Sequence, residues 1–181
     1  MTRTESREQP ATAIKLHERS ATHTLASWDN VFVVIFRTDT TAQGVRALHR
    51  ECEKFARVTP SGVFLVTVVA QGTPAPAPPE RKALADFLSA MSSLVRGSAV
   101  IIEGQGFRSA MVRGVVTGLT MLAKQAYPHQ VCDVLSAAAL FQRVATERGI
   151  PFHAERFRAC MANLRTVEAD DIAKATARAA I

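Results

Sequence analysis

The chain is short of the residues that most directly announce chemistry. Cysteine occurs three times in 181 residues, as Cys52, Cys132 and Cys160. The three are scattered and form no CxxC pair, so neither a zinc site nor a redox dithiol has its ligands. Cys52 and Cys132 fall inside apolar patterns, where a reduced thiol behaves as a small hydrophobe. No apolar run approaches the roughly 20 residues a membrane helix needs. The opening residues, MTRTESREQP, are charged and lack the apolar core of a secretory signal. The expectation is a cytoplasmic protein without membrane insertion.

A basic run is missing as well, although the net charge is +6 and the pI is near 9.8. Lys and Arg number nine against seven Asp and Glu over 1–60, six against four over 61–135, and seven against five over 136–181. The excess is spread evenly, unlike a stripe that tracks a phosphate backbone, and this argues against nucleic acid as the partner. The five histidines, His17, His23, His49, His129 and His153, show no metal-ligand spacing and no paired nucleophile. No metal, cofactor or catalytic residue is expected. Ser109 lacks the flanking glycines of a nucleophile elbow.

What is present is an ordinary globular composition, 48% hydrophobic and 21% charged, in a chain long enough to bury one full core. Four short apolar runs stand out: Val31 to Phe36, Val63 to Ala70, Ala99 to Ile102 and Val131 to Leu135. Each is followed by a helix-patterned stretch. Strands buried on both faces and alternating with helices predict a parallel sheet covered by helices. Function in such a sheet belongs at the carboxyl ends of the strands. Thr22 to Ser27 predicts a further strand, joined to Val31 by an Asp29-Asn30 turn with Trp28 as a packing anchor at the corner.

Val45, Leu48, Cys52 and Phe55 form one stripe of a helix opened by Thr38 to Thr41 and closed before Pro60. The segment from Gly72 to Pro79 is too rich in proline for helix or central strand and reads as a stiff, exposed loop. Pro79 and Glu80 suit the first turn of the next helix. Its stripe is Leu84, Phe87, Leu88, Met91, Leu94 and Val95, with Gly97 as the stop. Phe107, Met111, Gly114, Val115, Gly118, Leu119 and Leu122 line a third helix, whose glycines are expected to permit close packing on the sheet. Ala137 to Arg148 forms a fourth helix ending at Gly149. Residues 1–21 read as a flexible segment, 22–149 as the α/β domain and 150–181 as a helical extension, the helical tail proper running from Thr166 to Ile181. The fold class is α/β: a four-stranded, mostly parallel sheet with an antiparallel N-terminal strand, flanked by helices.

Three local features carry a resemblance. They are Val31 to Phe36 with its helix, the strand, loop and Arg-bearing helix over Val63 to Phe87, and Val100 to Val134 with Gly106-Phe107 and Tyr127-Pro128. Their element order over about 22–148 resembles the STAS fold of anti-sigma-factor antagonists and sulphate-transporter cytoplasmic domains, and more closely its STAS/SEC14-type bacterial branch. The resemblance implies a non-enzymatic regulatory domain in bacterial signalling that binds a protein partner, a regulator or a kinase-like protein, and it allows a homo-oligomer. It also implies a phosphorylatable Ser or Thr after the second of the central strands. The matching segment, Gln71 to Arg81, offers only Thr73 and no Asp-Ser pair.

The candidate contact surface is the strand-end rim: Arg37 and Asp39, Thr73 and Arg81, and Gln105, Arg108 and Ser109. Arg108 and Arg113 could join Glu103, Arg37 and Asp39 in an anion pocket, or form a solvated salt-bridge set. The alternative function is a small-ligand or nucleotide-binding protein using the same rim. Gly104-x-Gly106 could admit a phosphate to a helix N-terminus, but the third glycine of the dinucleotide fingerprint is replaced by Ser109.

Overall fold

A computed structural model describes residues 14–105, 107–122 and 126–179, with side chains left out at 107–109, 119–122 and 167–179. Six strands form one sheet: β1 (Lys15–Arg19), β2 (His23–Trp28), β3 (Val31–Phe36), β4 (Val63–Val69), β5 (Val95–Ile102) and β6 (His129–Val131). They lie side by side in chain order. The pairs β1–β2 and β2–β3 are antiparallel, and β3–β4, β4–β5 and β5–β6 are parallel. The helices are α1 (Ala42–Arg57), α2 (Pro78–Ala90), α3 (Phe107–Leu122), α4 (Val134–Arg148) and α5 (Ala154–Ala179). From β2 to α4 the order of elements is the expected one.

Alternation along the strands sorts the core into two faces. Val31, Val33 and Ile35 of β3, Phe64, Val66 and Val68 of β4, and Ala99 and Ile101 of β5 face α4 and α5. Phe32, Val34, Phe36, Val63 and Leu65 face α1 and α2, and Val69 and Val100 meet Val112 of α3. Each parallel crossover carries one of α1, α2 and α3, and crossovers of a single hand place all three on one side. The chain then rounds the β6 edge, and α4 and α5 cover the other side.

The sheet has six strands where four were expected, and β1 is the strand that no pattern announced. The sequence of β1, KLHER, is polar and shows no alternation, and its pairing with β2 is irregular between Leu16 and Glu18. Side chains hold it: His17 Nε2 lies 2.7 Å from Ser27 Oγ, and Glu18 meets buried His23 at 3.2 Å and Arg50 of α1 at 2.9 Å. Part of the segment expected to be flexible is thus an edge strand. The β2–β3 hairpin forms as expected, with Asp29 at φ 47° in its turn and Trp28 buried against Phe157.

Three boundaries shift. Helix α2 stops at Ala90, and Val95 begins β5 rather than ending a helix. Gly97, expected as the helix stop, lies mid-strand, where an added Cβ would sit 3.5 Å from both Phe64 and Phe141. The expected strand Val131 to Leu135 splits. Its pairing ends at Val131, Asp133 caps α4 by accepting from Ser136 N–H, and Leu135 lies exposed in the first turn. Gly149 ends α4 in the left-handed conformation at φ 63°. The extension beyond 150 is integral to the core, because Phe152, Phe157, Met161 and Leu164 all pack beneath the sheet.

Candidate functional site

The strand-end rim is less unified than its residues promised. Arg37 turns to the N-terminal hairpin, donating to Thr24 Oγ1 at 2.8 Å, to the His23 carbonyl at 3.0 Å and to the Ser20 carbonyl. It is a clamp between β3 and the β1–β2 turn. Asp39 is exposed and accepts from the Thr40 N–H at 2.8 Å, a local turn contact before α1. Glu103 pairs with Arg165 of α5. The expected anion pocket therefore loses Arg37 and Glu103 to neighbours on other elements.

Thr73 is 2% exposed. Its hydroxyl lies 3.2 Å from the Phe36 carbonyl and 2.9 Å from that of Arg37, and can donate to either. This contact fixes the proline-rich loop to the end of β3. Phosphorylation at Thr73 would require that loop to leave its place.

Thr73 and Gln105 do come together, lining a hollow of about 190 Å³ at the ends of β4 and β5. Gly104, at φ 82°, makes the turn beneath it. Gly106 lies outside the described residues. Arg108 and Ser109 stand in the first turn of α3, and their side chains lie outside the described ones. Arg81 stands on α2, away from that hollow, in a groove of about 580 Å³ between α2 and α3.

That groove corrects the reading of α3. An added Cβ at Gly114 or Gly118 would meet nothing within 4 Å, so neither glycine serves close packing on the sheet. Both line the groove opposite Arg81 and Lys82. Met111, expected on the buried stripe, is 50% exposed. Val112 and Val116 face the sheet instead, one position further along. Apolar residues ring α3 on several sides, so the pattern alone left its orientation ambiguous.

Beneath α2 and α3 lies a second feature that the sequence reading missed. An apolar cavity of about 70 Å³ sits on the sheet, bounded by Leu84 and Leu88 of α2 and Val112 and Val116 of α3. Its polar lining is Thr40, Thr67, Ser98 and His129. Parallel pairing of β5 with β6 sets Ser98 opposite His129, and Ser98 Oγ lies 2.7 Å from His129 Nδ1. His129 Nε2 and the nearby Tyr127 Oη are buried without a hydrogen-bond partner among the described residues. Such groups are rare in folded proteins and mark a place to look for function.

Burial lowers the pKa of His129, favouring its neutral form. Burial also pushes the Tyr127 phenol up to about 12. Two signals were available in the sequence. Thr67 is the one polar residue of the strand VFLVTVV, and Ser98 directly precedes AVII. Their shared face followed only from the strand register, in which Thr67 stands beside Val100.

No group of three or more His, Cys, Asp or Glu side chains able to hold a metal ion occurs among the described residues. Among the same residues, no helix is long and apolar enough to cross a membrane. No family model, curated protein or solved structure matches the chain.

Proposed function

We propose that the chain is a non-enzymatic regulatory domain of the STAS-like kind, which binds a protein partner along its α2–α3 side. The observation that carries this reading is the open groove between those helices. Both rim segments lead into it, because the loop after β4 runs into α2 and the turn after β5 runs into α3. Gly114 and Gly118 leave bare backbone on either side of Val115 along one wall, which would let a partner's backbone or helix approach closely, while Arg81 and Lys82 line the other wall. A helix seated in a groove is a common mode of peptide recognition, and the basic wall suits an acidic one.

The double variant Arg81→Glu/Gly118→Gln tests the reading. In a pull-down from native lysate the wild-type chain should retain a partner that the variant, folded with a similar Tm, has lost. Equal recovery by both chains would remove the groove from the account. Recovery of no partner by either would overturn the interaction reading.

A second reading, a small-ligand protein, is favoured by the cavity under the same helices. Its apolar lining and its single Ser98–His129 pair suit a compact, largely apolar molecule better than a nucleotide's phosphates.

A further inference from the structure

We propose that the cleft at the amino ends of the parallel strands binds a free α-amino acid with an apolar side chain. Its carboxylate would sit on Arg156 and its ammonium group on Asp29 and Asn30. The cleft holds about 360 Å³ and lies at the end of the sheet rather than on either face. Three connections meet there: the β2–β3 turn, the loop from α1 to β4 and the entry to α5. It shares no lining residue with the α2–α3 groove, so the two sites stand or fall separately.

The cleft presents one charge of each sign. Among the described residues that line it, the charged side chains are Asp29 and Arg156. Arg156 Nε lies 3.2 Å from Asp29 Oδ2, yet Nε makes no hydrogen bond, so this ion pair is close but misaligned. The Nη nitrogens of Arg156 donate to none of the described residues. They form a planar fork suited to a carboxylate, and the dipole of α5 favours a negative charge at its opening turn.

Asn30 supplies the second polar contact. It is 6% exposed, and its Nδ2 donates to the Pro151 carbonyl at 3.0 Å. That carbonyl can only accept, which fixes the orientation of the amide. Oδ1 is then an acceptor with no donor among the described residues. An ammonium group brings three donors and a charge opposite to that of Asp29. A simple anion would meet repulsion from Asp29, and a simple cation repulsion from Arg156. A zwitterion with both charges on one carbon matches two opposite charges held side by side.

Volume and lining set the rest. The space is more than twice the roughly 150 Å³ of an apolar cavity that admits benzene. Trp28, Val31, Phe152 and Phe157 contribute apolar walls, which suit a branched or aromatic side chain.

The test titrates the full chain with L-leucine and L-phenylalanine. N-acetyl-leucine lacks the ammonium group, leucinamide lacks the carboxylate and glycine lacks the side chain. The readouts are the Tm and the indole N–H resonance of Trp28, the only tryptophan of the chain. At least one of the two amino acids should shift that resonance saturably and raise the Tm by about 5 °C or more at a hundredfold excess over Kd. Each control should bind at least about tenfold more weakly. Arg156→Gln and Asp29→Asn should each weaken binding by at least about tenfold. Asparagine tolerates the φ of 47° at position 29, so the turn should survive that change. The two substitutions lie on different elements, so misfolding of one variant does not decide the outcome. A wild-type chain that responds to neither amino acid would overturn the proposal. So would a response that survives both substitutions, or N-acetyl-leucine or leucinamide binding as tightly as leucine.

Discussion

The two faces of the sheet are built to different standards. On one, α4 and α5 press an aromatic cluster against β2 to β5. Phe64 and Phe141 stack at 4.8 Å, while Phe152 and Phe157 meet Phe141 nearly perpendicular to it. On the other, α1 is sealed by Val45, Leu48 and Cys52, but closure loosens toward α3. There Val112 is buried and Val116 only half so, a cavity lies beneath, and a groove opens outside. Interiors pack like organic crystals, so incomplete closure concentrated on one side separates the part that holds the fold from the part able to receive something.

The sharpest break in this comparison comes from truncating one side chain on each face. Phe141→Ala should destabilise by about 3–5 kcal/mol, because it removes a wholly buried ring from a filled cluster. Leu84→Ala, at a half-buried position beside existing space, should reduce stability by only about 1–2 kcal/mol. Urea unfolding of both variants checks this, and similar losses would erase the distinction between the faces.

Thr73 sharpens the same picture at the rim. Thr73→Val keeps the shape and loses the donor to the Phe36 and Arg37 carbonyls, which should reduce stability by about 1 kcal/mol. Limited proteolysis should then cut the loop over 71–77 faster. An unchanged cleavage rate would mean that the proline residues alone hold it.

The glycines of α3 should respond in the opposite direction. Gly114→Ala and Gly118→Ala place methyl groups in open space, so each should stabilise by about 0.5–1 kcal/mol through helix propensity. A loss of stability in thermal unfolding would mean that the helix lies closer to its neighbours than the groove allows.

The smallest effect concerns pH. Burial lowers the folded-state pKa of both His17 and His129 below the ordinary 6.5. Above 6.5 both states hold these rings neutral. Below it the unfolded chain takes up protons more readily, so stability falls as the pH drops toward the folded values. His129→Asn should flatten that fall between pH 7.5 and 5.5, and an unaltered slope would assign it to other groups.

Much of the scaffold was legible because continuous β-branched runs such as VFVVIF specify buried parallel strands, and because Thr41 and Gly149 terminate helices by local chemistry. Less legible was whatever depends on partners distant in sequence. The polar strand β1 exists through His17, Glu18 and their contacts to β2 and α1. Leu94 and Val95 satisfy a helical period equally well, and only the pairing with Val63 draws Val95 into β5. Of the rim residues, Arg37, Asp39, Thr73 and Gln105 follow strand ends while Arg81 stands on α2, and Arg37 and Glu103 have partners on the hairpin and on α5 that no local pattern announces. The Ser98–His129 pair was missed for the same reason: thirty-one residues separate its members, and the β5–β6 register alone brings them together.

Native-state amide hydrogen exchange on the full chain tests the division of the two faces most directly. Few buried contacts imply a low free energy of local opening. The account predicts that α3 amides exchange well before those of α4 and β3–β5. Exchange of α3 as slow as that of α4 would contradict it.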